Sequence, residues 1–540
     1  RSNSMKPRRR SNPLVPAIAA LLAGMAAYAW QARAQQPMGI ETAPLTQLDG
    51  WRVGALSRSQ GALPQSLWRS ADPVALGAMF DRLPAVFESP AAQALARRAL
   101  LSGGQAPEGE GVLEAMRKRY SALGRMGFAD DLSVISGAAG PSASDPAIAQ
   151  YAAQAELARN RRTEACARGR FAQAEEPPAF LLRLRAYCAA AIGERAAADL
   201  ALELARSAGA EDAWFRTAIA GVGEGAPRPR VAAKYDSSLN AAVSLAANLR
   251  TPPNPLANSS TLSLGVLART ETTAQPLRAQ AAALAYRRSA IPAAEARQIL
   301  RAVPTTVTAG IPAIAVALRR VEAAPGSLDA AQAIAGVLRQ SRTPADFAAA
   351  ATFFSRDIAA LTVAPDAESA ILFARAALLA NETDLAERLA ANAAQANANQ
   401  LSLAVTRSAI AAAKGDMNIA VLRTRIEAAP ATGQRAAARD AAIFAALGYE
   451  LDAGAQAFFV AAAPQGGTAA DAGVLAALAA AAQRGSTGEV AILASAAAAP
   501  GMQTLNSASQ IAIIRALRDA SLNDAARSFA VEAILFGAQT

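Results

Sequence analysis

Between residues 63 and 222 apolar side chains recur every three to four positions, and each such run stops at glycine, proline or asparagine. This is the pattern of amphipathic helices with ordinary stop signals. It predicts helices at about 72–83, 90–102, 110–125, 146–159, 163–173, 178–192, 195–208 and 212–221. Residues 223–275 interrupt the rhythm with Gly223, Gly225, Pro227, Pro229, Pro252, Pro253, Pro255 and the polar run Asn258–Ser263. A linker is expected there, with a short helix near 238–249 inside it. Helical periodicity returns at about 276 and continues to Phe536, with no alternating strand pattern of useful length. The expected organisation is therefore a flexible tether over 35–61, an N-terminal helical block over 62–222, the linker over 223–275, and a C-terminal helical block over 276–540.

Short polar turns mark a repeat inside these blocks. Asn381-Glu382, Gly415-Asp416, Leu447-Gly448, Arg484-Gly485 and Ser521-Leu522 follow one another at steps of 34, 33, 37 and 37 residues. In the first block Asn160-Arg161 and Gly193-Glu194 stand 33 apart. Two helices of about 13 residues with two short turns consume about 34 residues, the length of a helix-hairpin repeat. The fold class predicted is all-α, a solenoid of stacked hairpins in two blocks. Each hairpin buries little by itself and depends on its neighbours.

Composition sharpens this picture. Alanine fills more than a quarter of the positions and aromatic residues only 5%, which favours helices over strands. The chain contains no histidine, so catalytic triads and metal sites that use imidazole cannot be built from it. None of its four lysines has serine three residues before it, and no glycine-rich phosphate loop with its lysine occurs. No cofactor, metal site or small-molecule substrate is expected, and the chain is read as a non-enzyme.

The N-terminus carries an address. After Met5, the basic run Lys6-Pro7-Arg8-Arg9-Arg10 precedes an uncharged stretch from Leu14 to Trp30. Ala32-Arg33-Ala34 then gives the small-x-small pattern of a signal-peptidase site, with cleavage expected between Ala34 and Gln35. Residues 1–34 are expected to be a Sec signal and the destination the periplasm. An uncleaved inner-membrane anchor is the alternative, because 17 uncharged residues lie at the short edge of a spanning helix. Those 34 residues hold six basic side chains and no acid, so the net charge of +10 falls to +4 over the remaining 506. No mature segment pairs a dense basic run with interleaved aromatics, so nucleic acid is not an expected partner.

Cys166 and Cys188 are the only cysteines. They fall on consecutive antiparallel helices, and in an exported chain without a CxxC motif they are expected to form a structural disulfide. Trp68, Trp214 and Phe215 stand out in an aromatic-poor chain. They read either as core anchors or as a binding patch. Glu368-Ser369 and Gly501-Met502-Gln503 faintly echo a lytic transglycosylase, but 133 residues separate them. The paired acids Asp130-Asp131 and Glu175-Glu176 read as helix caps or solvated faces.

The hairpin spacing, with Ala377–Ala390 and Ala411–Ile426 nearest to the pattern, resembles the tetratricopeptide superfamily, although no single repeat carries its full set of tryptophan, leucine-glycine and tyrosine anchors. That resemblance implies protein or peptide binding on a concave face. In the first block, Leu67-Trp68, Leu95–Ser102 with Pro107-Glu108-Gly109, Ala165-Cys166 and Tyr187-Cys188 occur in order. This resembles a group of exported helical-repeat proteins of Gram-negative bacteria, some associated with polar flagella or motility. It implies a periplasmic scaffold or adaptor of an envelope machine, binding other envelope proteins as part of a large assembly or homo-oligomer. A peptidoglycan-active enzyme or its activator, and an inner-membrane-anchored assembly factor, are the alternatives.

Overall fold

The computed structural model describes residues 50–171, 177–416, 418–462 and 466–538. The expected signal, its cleavage residues Ala32, Ala34 and Gln35, most of the tether, and Glu175-Glu176 lie outside them. Among the described residues there are 27 α-helices, a few 3₁₀ turns and no strands beyond two isolated bridges, Ala232 with Arg250 and Thr468 with Leu505. The chain is an all-α array of helix pairs.

Local chemistry sets the helix ends. Asp72, Ser89, Asp145, Ser327, Thr343, Asp366, Asn399, Asp471 and Asn506 each cap a helix by accepting a hydrogen bond from a first-turn backbone N–H. Proline takes the first helical position at 73, 90, 146 and 344, where its missing N–H is not needed. The hairpin turns read from the sequence are left-handed at one residue each. Asn160, Asn381 and Ser521 have φ of 58, 61 and 61°, while Gly193, Gly415, Gly448 and Gly485 have φ between 67 and 96°. The helices that open the last five hairpins start at Ala367, Gln400, Gln434, Ala472 and Ser507, at intervals of 33, 34, 38 and 35 residues.

Three features depart from the sequence reading. The expected linker carries two helices, Ser238–Ala246 and Thr261–Arg269, and every residue from Thr261 to Ala268 is buried. Gly127 lies so close to Thr261 that a Cβ would stand 2.2 Å from its methyl group, and Gly265 lies against the Ala158 carbonyl. Arg269 adds ion pairs to Asp130 at 2.8 Å and Glu295 at 2.7 Å, which tie the two expected blocks together. The prolines at 252, 253 and 255 only shape the loop between two core helices. Residues 48–540 form one compact unit.

The C-terminal part of the expected tether is also core. Trp51 is 2% exposed, and buried Arg119 donates to the carbonyls of Gly50, Leu100, Ser102 and Val53. That guanidinium ties orphan carbonyls of an irregular segment, at Gly50 and Val53, to carbonyls at the end of helix Pro90–Leu101.

The array also closes on itself. The last helix, Asn523–Phe536, packs on Gln400–Lys414 and on Pro90–Leu101. Glu88 N–H donates to the Ala499 carbonyl at 2.9 Å and Arg82 pairs with Asp471 at 2.7 Å. The N-terminal helices thus fill the side of the last hairpins that an open array leaves bare.

Candidate docking groove

Helices Gln275–Arg287, Ala313–Ala323, Leu328–Gln340 and Pro344–Phe353 surround an open groove of about 690 Å³. Ala283, Leu284, Ile311, Ile314, Val337 and Ala350 supply its apolar lining. Ile311 comes from the loop before Ala313–Ala323, and the others lie on the four helices, whose remaining apolar faces pack on neighbouring helices.

Its polar groups are mostly used internally. Arg287 pairs with Asp346 at 2.5 Å and Glu88 at 2.8 Å, and donates to Thr343 at 3.2 Å. Burial works to lower its pKa, but the two carboxylates more than offset that and hold it above the ordinary value. Burial and the neighbouring Arg287 lower the pKa of Arg288, which donates to the Ser259 carbonyl. Tyr286 shares a hydrogen bond with Thr352 at 2.7 Å, and burial raises its phenol pKa. Arg342, exposed at the rim, has no ion-pair partner among the described residues. The helix starting at Ala313 has no side-chain cap, which leaves its positive end at the groove. The arrangement is an apolar trough with a cationic rim.

The residues singled out from sequence fall elsewhere. Cys166 and Cys188 are bonded, with a Cα separation of 5.9 Å, and join helices Arg162–Phe171 and Ala179–Ala191. The binding patch suggested for Trp68, Trp214 and Phe215 is not there. Trp68 and Phe215 are fully buried, and Trp68 sits edge-on to Trp51 and Phe80 at 6.2 and 5.5 Å. Trp214 is half-buried, donates to the Ala232 carbonyl at 2.8 Å and lies under Lys234 at 4.9 Å. A chain this poor in aromatics uses them where alanine cannot fill the space.

Glu368 is a solvated first-turn acid paired with Arg339 at 3.3 Å, while Ser369 donates to the capping Asp366. Met502 is buried, and its N–H donates to Glu532. These pieces share no cavity wall with the groove. Asp130 bridges Arg159 and Arg269, and Asp131 pairs with Arg97. Sequence reasoning missed the groove because its walls come from four helices, and no short motif marks their juxtaposition. Comparison with protein-family models, with curated proteins and with solved structures finds no match to this chain.

Proposed function

We propose that this chain is a non-catalytic scaffold of the periplasm that docks an apolar segment of another envelope protein in the groove between residues 280 and 350. The observation that carries the reading is an open apolar trough whose inner arginine is neutralised from within, while Arg342 at its rim stays available. The Cys166–Cys188 bond fits an oxidising compartment, and among the described residues no helix is long and apolar enough to cross a membrane. The signal-like residues 1–34 support export. The resemblance noted for the first block makes a flagellar or motility structure the setting of this proposal.

The test places a photo-crosslinking amino acid at Ile314 or Val337 in the groove, and at Val460, which is 75% exposed and away from it. Discrete adducts with an envelope protein from the groove positions, absent from Val460 and suppressed by Ala283→Arg, are the expected result. Adducts that ignore the groove substitution, or peptidoglycan cleavage by the purified protein, overturn the reading.

A further inference from the structure

Glu532 is fully buried on the last helix, at the seam where that helix meets Pro90–Leu101. Its carboxyl joins three segments. Ser89 Oγ donates to Oε2 at 2.7 Å, Ala91 N–H donates to the same oxygen at 3.2 Å, and Met502 N–H donates to Oε1 at 2.9 Å. Ser89 also caps helix Pro90–Leu101, so one carboxyl holds the start of an N-terminal helix against the C-terminal hairpin. A cleft of about 280 Å³ lies along this joint, with Pro90, Ala91 and Ala94 on one wall and Leu379 and Val531 among the others.

Among the described residues no cation compensates this group. On the elements around it, Arg97 is paired with Asp131, Arg98 with the Gly61 carbonyl, Glu88 with Arg287, and Lys414 with Glu387. Arg439 is paired with Asp440, Asp346 with Arg287, Glu368 with Arg339, and Arg518 donates to the Ala446 carbonyl beside its neighbour Asp519. Arg375 donates to Thr406. Arg407, Arg435 and Arg515 are exposed, and Asp524 and Arg527 line the cleft two or more turns and one turn before Glu532 on its own helix. None of these acts on the carboxyl, whose proton affinity is set by burial against three hydrogen bonds.

We propose that Glu532 is a protonation-controlled latch: neutral, it keeps the two ends of the array closed, and on losing its proton it releases helix Pro90–Leu101 and widens the cleft beneath. A buried carboxylate without a cation is costly even when hydrogen-bonded, and opening returns it to water. Burial pushes its pKa from 4.5 up to about 7 in the closed form. The closed state therefore holds its proton more tightly than the open one. Closure is strongest below about pH 4.5 and weakens as the pH rises to about 7, where the effect levels off. With these two values the opening equilibrium rises roughly 70-fold between about pH 5 and about pH 8.

Hydrogen exchange of residues 88–101 across that range, corrected for the intrinsic rate, tests the latch. The expected result is a roughly 70-fold rise in opening in the wild type, with the disulfide-linked pair 162–191 as a segment that does not follow it. Glu532→Gln should abolish the pH dependence. Ser89→Ala removes one donor to the carboxylate and should move the midpoint to higher pH. Flat wild-type protection, an unchanged profile in Glu532→Gln, or an unmoved midpoint in Ser89→Ala overturns the proposal, and the last arm stands even if the first variant does not fold.

Discussion

Gly488 lies directly against Trp68. A Cβ on Gly488 would stand 2.6 Å from the indole and 2.3 Å from the Leu67 carbonyl oxygen, to which the Gly488 N–H donates at 3.2 Å. A helix in the penultimate hairpin and a tryptophan near residue 70 thus meet through a missing side chain, at the seam where the array closes.

Gly488→Ala must push backbone against backbone. It should lower stability by about 3 kcal/mol in denaturant unfolding. Gly336 gives the opposite case, because nothing lies within 4 Å of the Cβ it would gain. It sits inside helix Leu328–Gln340, so Gly336→Ala should stabilise by about 0.5–1 kcal/mol through the unfolded chain alone. If both substitutions moved stability in the same direction, the close approach at 488 would not be the cause.

Asp440 is wholly buried between Arg425 and Arg439, at 2.8 and 2.7 Å. Asp440→Ala would leave two guanidiniums inside the array without that carboxylate. A loss of about 3–5 kcal/mol is expected. A variant that replaces Arg425 and Asp440 together with leucine should recover much of it, and the comparison of unfolding midpoints decides whether the pair is stabilising or only expensive to break.

The bond between Cys166 and Cys188, 22 residues apart, closes a short loop. Thiol titration of the denatured, unreduced protein should find no free cysteine. Reduction, or the double substitution to alanine, should cost about 3 kcal/mol on the chain-entropy account. Local exchange should accelerate in helices 162–171 and 179–191 before it does elsewhere, since the cross-link acts on that pair.

Asp366 caps helix Ala367–Leu379 by accepting from the Ser369 N–H and hydroxyl, and these bonds hold its carboxyl below the usual range. Its contribution is therefore present above the ordinary carboxylate pKa and is lost as the pH falls through the depressed one. Asp366→Ala should cost about 1 kcal/mol at neutral pH. The difference from wild type should shrink in strong acid, in unfolding curves taken at a series of pH values.

Much of the local architecture was readable because the signals are local. Asn160, Gly193, Asn381, Gly415 and Ser521 interrupt alanine-rich stretches, and a short polar residue or glycine there adopts the left-handed turn that a hairpin needs. The cysteine pairing followed from two helices of known sense. By contrast, Thr261–Arg269 follows three prolines and a serine-rich run, and nothing in its nine residues tells that both of its sides are covered. Trp51 lies in a segment without periodicity, and its burial depends on Arg119, far along the chain.

The residues alone dictate that this chain is helical and where its hairpins turn, because those outcomes depend on backbone preference within a few residues, and with only two cysteines on consecutive helices they leave one possible disulfide. Packing between distant segments settles that the array closes, that helix Thr261–Arg269 belongs to the core, that four helices leave an apolar groove, and that Glu532 is buried at the seam. Those are properties of surfaces brought together over hundreds of residues, and burial, which sets both packing and proton affinity, has no local code.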